Sequence, residues 1–292
     1  MEKFTMNDTT IAFIGLGLIG GSLAKGIKKA RPDIRIMAYM RTRSKLEQAK
    51  KDGIVDVILD GIDEQLKQCD LIFLCTPVEY NAQYLSKIRS YLKPGALITD
   101  VGSTKTDIHK EILRQELTDC FVGGHPMAGS EKTGYENATD HLLENAYIVT
   151  PPEGFNQNGC GYGNISPKYS ENVKRVIAVA QTVGAIPLVL DYKEHDTVVA
   201  AISHLPHLVA SSLVNLVKDS DSPAETMKQV AAGGFKDITR IASSSPEMWE
   251  QICMTNTDNI AFMLEKYISS LEDILSSLRN RDETALHQLF DS

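Results

Sequence analysis

Paired cysteines, long hydrophobic runs and an excess of basic charge are all missing from this chain, and each absence excludes a class of function. The five cysteines (Cys69, Cys75, Cys120, Cys160, Cys253) are odd in number, scattered, and form no C-x-x-C pair. That spacing excludes a disulfide framework and a zinc ribbon. Cys75 and Cys120 lie in or beside apolar segments, which predicts reduced core thiols in a cytoplasmic protein. No window of about 18 apolar residues stands out and the N-terminus carries no signal pattern, so neither a membrane span nor secretion is expected. The formal charge of −8 excludes generic binding to nucleic acid or an anionic membrane surface, while leaving room for a local anion pocket. Trp249, the only tryptophan, lies in Ser-Pro-Glu-Met-Trp and reads as core.

What is present begins with phosphate-binding geometry. Thr10-Ile-Ala-Phe-Ile14 is an apolar run, and Gly15-Leu-Gly17-Leu-Ile-Gly20-Gly-Ser22 follows it directly. The apolar pattern then continues through Leu23, Ala24 and Ile27. This is strand, glycine turn and helix, with G-x-G-x-x-G at the junction. Gly15 allows the tight turn, Gly17 lets backbone approach a pyrophosphate, and Gly20 lets the helix pack on the strand. The helix N-terminus then faces the anion. Gly15, Leu16, Gly17, Leu18, Ile19 and Gly20 are therefore expected to hold a nicotinamide dinucleotide, joined by Arg41, Thr76 and Pro77 at later strand ends. NAD-binding chains place an acid roughly 20 residues beyond the glycines. Here Tyr39-Met40-Arg41-Thr42-Arg43-Ser44 has none. Two arginines suit the 2′-phosphate of NADP; Arg41 stacking on adenine is the plainer alternative, and both stay open.

Short apolar strands alternate with helical patterns through the first 190 residues: 35–40, 55–59, 71–75, 97–100, 121–123, 146–150 and 186–190. This alternation predicts an α/β fold with a doubly wound parallel sheet. Ligands on such sheets sit at the carboxyl ends of strands, where Thr76, Asp100 and His125 fall. Residues 153–164 are rich in glycine and asparagine and are expected to be mobile, with no assignable role. From Asp191 onward the pattern is helical: about 191–218, 223–232, 246–253, 256–279 and a short helix after Asp282. The expected organisation is a dinucleotide-binding domain over 1–190 and a helical domain over 191–292. Five helices with little cover predict a homodimer built through the second half.

Several polar groups could meet a substrate. Gly123-Gly-His125-Pro-Met-Ala-Gly-Ser130-Glu131-Lys132 sets one imidazole in a loop of small residues, where Pro126 disfavours helix. A histidine titrating near neutrality suits proton transfer, and a structural role is the alternative. Asp100-Val-Gly-Ser103-Thr-Lys105 follows a strand, so Ser103 reads as a helix N-cap whose hydroxyl could also face the cleft. Ser203-His204-Leu-Pro-His207 has i, i+3 histidines, but with no third ligand a metal site is not expected. His207 could contact an anion and His204 could only pack; the sequence does not separate them. Lys236 and Arg240, at i, i+4, could grip an anion together. The alternative is a solvated face with Asp237 pairing Arg240.

These segments occur in one order, and together they resemble the prephenate dehydrogenase family across roughly residues 10–280. The resemblance implies a Rossmann domain followed by a helical dimerisation domain, and oxidative decarboxylation of prephenate to 4-hydroxyphenylpyruvate and carbon dioxide in tyrosine biosynthesis. It implies that His125 is the catalytic base, that Ser103 orients it or the substrate hydroxyl, and that Arg240 grips a substrate carboxylate. By the same resemblance His207, Ser130, Glu131 and Lys236 contact, line or gate the pocket. No regulatory domain is expected, and tyrosine inhibition is therefore expected at the active site. Arogenate dehydrogenase is the nearest rival; a cationic His207 would repel the arogenate ammonium, which favours prephenate. A 3-hydroxyacid dehydrogenase would use a lysine of the helical half instead. A redox sensor would bind dinucleotide without turnover.

Overall fold

The computed structural model describes residues 9–130, 132–151 and 167–291, which fall into two compact units. The first unit comprises 1–196 with 245–251, and the second 197–244 with 252–292.

The first unit opens with β1 (Thr10–Ile14), α1 (Leu18–Ala30), β2 (Arg35–Tyr39), α2 (Arg43–Lys51) and β3 (Val57–Ile58). It continues with β4 (Leu71–Leu74), α3 (Val78–Arg89), β5 (Leu97–Asp100) and α4 (Thr106–Arg114). These five strands form one sheet in the order β3-β2-β1-β4-β5, every pair parallel. Successive side chains of a strand face opposite sides of a sheet, and here both sides are apolar because helices cover both. Ile11 and Phe13 join one core cluster, and Ala12 and Ile14 join the other. Phe13 stacks on Phe73 of β4 with ring centroids 5.0 Å apart.

A second sheet follows, of β6 (Gly123–Pro126), β7 (Ala146–Thr150) and β8 (Ile186–Val189), with α5 (Pro167–Thr182) between the last two. β7 and β8 are parallel, but β6 runs antiparallel to β7. Two sequence expectations are corrected here: the sheet system is not wholly parallel, and His125 lies in a strand rather than a loop. Among the described residues the connection between β6 and β7 contains no long helix, so nothing forces a parallel crossover. A bridge from Phe121 to Ile98 ties the approach to β6 onto β5.

The remaining helices are α6 (Tyr192–Val199), α7 (Leu205–Ser220), α8 (Thr226–Val230), α9 (Gly233–Thr239), α10 (Pro246–Thr255), α11 (Thr257–Asn280) and α12 (Glu283–Asp291). A π-helical turn over Ala200–His204 joins α6 to α7, and the Leu205 amide bonds back to the Ala200 carbonyl. Pro206 has no N–H to offer the carbonyl four residues earlier, and the wider turn accommodates that loss. The run Tyr192–Ser220 is long and apolar enough by length and composition to cross a membrane, against the expectation of no such segment. Its buried polar groups bond to protein instead: His195 to Asp196, and His204 to Asn256. Most of the run's apolar surface is nonetheless uncovered in the single chain. In the second unit much apolar surface stays uncovered in the single chain, including Ile202, Leu216, Val230, Leu278 and Phe290.

Candidate active site

The glycine turn sits where β1 meets α1, beside the carboxyl end of β4. Gly15 has φ +93°, and a Cβ there would meet the Cys75 carbonyl oxygen at 2.5 Å. No other residue type fits that approach. A Cβ on Gly17 would meet nothing within 4 Å, so this part of the turn faces open space. Leu16 is buried in the core, while Leu18 and Ile19 are half-buried in the first turn of α1. That turn has neither an acidic residue nor a side-chain cap on its N–H groups. The result is a ready site for a pyrophosphate. At the end of β4, Thr76 donates a 3.0 Å hydrogen bond to Asn81 Oδ1, and Pro77 caps α3. At the end of β2, Arg41 lies over the Tyr80 ring, 5.3 Å from its centroid. Arg43 is paired with Asp60 and with Glu47, so only one of the two arginines suited to a 2′-phosphate lacks an acidic partner among the described residues.

Asp100 closes β5, next to the glycine turn's neighbour β4 in the sheet order. Its carboxylate is fully buried against the Lys105 ammonium, which is equally buried. It also accepts the Gly102 amide at 2.9 Å and the Gly124 amide at 3.2 Å. A Cβ on Gly124 would meet the Asp100 carbonyl oxygen at 2.8 Å, so glycine is needed for β6 to approach this closely. Asp100 thereby pins the residue before His125 to the carboxyl edge of the main sheet.

His125 is half-buried, and its Nδ1 lies 2.8 Å from Nε2 of His195. His195 Nδ1 lies 2.8 Å from Asp196 Oδ1. Asp196 in turn accepts the amides of Lys105 and Thr106, each at 2.8 Å. His195 and Asp196 are both wholly buried. Burial lowers the His195 pKa, the Lys105 charge adds to that, and the bond to Asp196 opposes it. Burial pushes Asp196 up, yet its hydrogen bonds from His195 and Thr106 prevail and hold it below the usual carboxylate value. Nearby, His109 stacks on Tyr192 with centroids 4.4 Å apart and meets Thr150 Oγ1 at 3.1 Å. Burial lowers its pKa to about 3.

His195 and Asp196 escaped the sequence reading. Their only sequence signal is the adjacency of imidazole and carboxylate near a helix start. The reading of Ser103 as an N-cap is corrected: α4 begins at Thr106, and its first amides are capped by Asp196, 90 residues away. Ser103 stands half-buried in the turn between β5 and α4. Ser130 is exposed and accepts the Lys132 amide at 3.2 Å. Glu131, Cys160 and the loop 153–164 lie outside the described residues.

The second unit carries the other candidates. His207 is half-buried and its Nδ1–H donates to the Ser203 carbonyl at 2.9 Å. Burial lowers its pKa, and the Arg240 charge lowers it further. The expectation of a cationic His207 is thus corrected to a neutral one at pH 7. His204 is buried and bonds Asn256 at 3.2 Å, so the two histidines have different surroundings. Among the described residues no group of three His, Cys, Asp or Glu could hold a metal. Lys236 in α9 and Arg240 just beyond it are exposed. Among the described residues no ion pair joins Asp237 to Arg240. Trp249 belongs to the first unit and is half-buried.

Residues 23–159 match the prephenate dehydrogenase nucleotide-binding domain, and residues 191–292 match the prephenate dehydrogenase dimerization domain. The structure of prephenate dehydrogenase from A. aeolicus, in complex with hydroxyphenyl propionate and NAD+, superposes with a TM-score of 0.85 at 30% identity, covering 97% of this chain and 95% of that one. An arogenate dehydrogenase from Synechocystis gives 0.81 at 28% identity, covering 97% and 96%. The prephenate dehydrogenase of Bacillus subtilis is 37% identical over 286 residues, 96% of this chain and 73% of its own length. On sequence and fold together, the chain belongs to the prephenate dehydrogenase family.

Proposed function

We propose that this protein catalyses the nicotinamide-dependent oxidative decarboxylation of prephenate to 4-hydroxyphenylpyruvate and carbon dioxide, in tyrosine biosynthesis. The observation that carries this reading is the placement of His125, pinned to the carboxyl edge of the sheet through Gly124 and Asp100. That edge also carries the open glycine turn, whose uncapped amides fit a dinucleotide pyrophosphate. When bound, the nicotinamide supplies the hydride acceptor. His125 takes the proton of the ring hydroxyl while the carbon bearing that hydroxyl gives up its hydride and becomes a carbonyl. Loss of the ring carboxylate as carbon dioxide then restores aromaticity, and the phenolate oxygen takes the proton back from His125. A positioned base of this kind contributes about 10²–10⁴-fold. Ser103 holds the hydroxyl or the imidazole in line. Arg240 grips a substrate carboxylate through its planar fork, and further substrate contacts are assigned to His207, Ser130, Glu131 and Lys236.

The coenzyme contacts are assigned to Gly15, Leu16, Gly17, Leu18, Ile19, Gly20, Arg41, Thr76 and Pro77. We assign a modest preference for NADP over NAD to Arg41 alone, because Arg43 is engaged by Asp60 and Glu47. Residues 1–190 bind the dinucleotide, and 191–292 form a homodimer in the cytoplasm through their exposed apolar helix faces. Tyrosine, which shares the product's phenol and a carboxylate, competes at the same pocket. A second reading is favoured by one observation. Neutral His207 spends its only N–H on Ser203, so its Nε2 can accept a hydrogen bond but not give one. That suits the ammonium of arogenate better than the keto oxygen of prephenate. Initial rates with both substrates and both dinucleotides separate these readings: kcat/KM is expected to be highest for prephenate with NADP. A higher value for arogenate would reverse the substrate assignment, and no turnover of either would end the proposal.

A further inference from the structure

The reaction above requires His125 to present a basic ring nitrogen, yet an imidazole has two tautomers and only one places the lone pair correctly. The proton inventory around His195 decides between them. Both Asp196 oxygens accept backbone amides, from Lys105 and from Thr106, and Oδ1 also meets His195 Nδ1. An ionised carboxylate only accepts, so the proton on that third contact resides on His195 Nδ1. His195 is wholly buried, and the Lys105 ammonium disfavours a second proton on its ring. Neutral His195 therefore carries a lone pair on Nε2, 2.8 Å from His125 Nδ1. The hydrogen in that contact must come from His125.

We infer that His195 and Asp196 are positioning residues that hold His125 in the Nδ1–H tautomer, with the basic lone pair on Nε2 to receive the substrate proton. The surrounding charges suit this task. Asp100 and Lys105 form a buried pair and offset each other, while burial, aided by the Lys105 charge, keeps His109 neutral. Asp196 leaves one buried negative charge, and the imidazolium formed when His125 takes the hydroxyl proton neutralises it. No net charge then remains in the cluster at the moment when the substrate oxygen gives up its proton. The helix start of α4 holds Asp196 in place, so the string does not depend on the substrate being bound.

This inference deepens the proposed reaction and rests on His125 being its base, so its test has one arm that needs no turnover. In ¹⁵N NMR of the wild-type protein above the His125 titration, with the signal assigned by His125→Asn, Nδ1 should report as protonated and Nε2 as bare. The reverse pattern would overturn the inference whatever the enzyme turns over. The second arm compares His195→Leu with His195→Gln under prephenate and coenzyme. His195→Leu should lose about 10–100-fold in kcat while KM for prephenate stays within about twofold. Its acid limb in kcat/KM should move to lower pH, because the imidazolium loses its acceptor. His195→Gln should recover much of kcat, since its amide oxygen can still accept from Nδ1. A folded His195→Leu protein with wild-type kcat and an unmoved acid limb would defeat the idea, as would equal losses in both variants. Should neither variant fold, the NMR pattern of the wild-type protein decides. Absence of prephenate turnover by the wild type would instead count against the reaction, leaving the tautomer measurement intact.

Discussion

In the first unit the side chains of β1, β4 and β5 are enclosed on both faces by helices of the same chain. In the second, α11 leaves Ile268, Leu271, Leu275 and Leu278 between 45% and 56% exposed. Those four recur at spacings of three and four, the period of a helix packed against another helix. The contrast separates two uses of apolar surface. Enclosure in the first unit creates a dry interior where Asp100, Lys105, His195 and Asp196 can be buried and bonded. The second unit leaves an apolar stripe uncovered, which fits its match to a dimerization domain, and the proposed homodimer would tie its stability to assembly.

The largest effect should come from the chemistry alone. His125→Asn is expected to lower kcat by about 10²–10⁴-fold with KM for prephenate little changed, because the base is lost and its volume kept. Unchanged thermal unfolding of that variant would show that the loss leaves both units intact; retention of more than about a tenth of kcat would refute the role. Lys105→Met should break the first unit selectively. It strands the Asp100 carboxylate in the core, at a cost of about 3–5 kcal/mol in urea unfolding. A fully exposed pair would lose almost nothing, so a change below about 1 kcal/mol would contradict the burial described.

Leu271→Glu with Leu275→Glu addresses the second unit in the same way. Each leucine stands to lose up to about 1.5–3 kcal/mol of burial in an assembly. Light scattering should then shift from a dimer mass toward a monomer mass, and a monomeric wild type at micromolar concentration would remove the contrast altogether. A smaller effect is expected from pH. His109 has a folded-state pKa near 3 against 6.5 in its ordinary state. The unfolded chain therefore binds the extra proton first. Stability from this group is complete above about pH 6.5 and is lost as pH falls toward 3. At pH 5 the loss is roughly 2 kcal/mol, and His109→Gln should show a pH 7-to-5 decline in unfolding free energy smaller by about that amount. The smallest effect is expected from Arg41→Ala, a surface change. It should lower kcat/KM for NADP by about tenfold and leave NAD nearly unchanged; equal losses for both would mean that Arg41 serves the adenine instead.

The first unit was far more legible in the sequence than the second. β1, the glycine turn and α1 lie within about twenty consecutive residues, where period, glycine placement and capping act locally. The alternating strands and α11 were readable for the same reason. The antiparallel β6 was not, because a strand's direction depends on the path of its connection rather than on its own residues. The cap of α4 was assigned to Ser103, the nearest hydroxyl, since nothing local shows that Asp196 arrives from elsewhere in the chain. His207 was read as a possible cation because its sequence neighbours show neither its burial nor the approach of Arg240.

By itself the sequence determined the glycine turn and the order of strands and helices and singled out His125 and the other candidate residues, since each rests on contacts between near neighbours or on residue chemistry. Only the tertiary structure decided which protons those residues carry. The His125–His195 contact spans 70 residues and the Asp196–Lys105 contact spans 91. Protonation follows from burial and from partners brought across such distances, and neither quantity exists until the chain has folded.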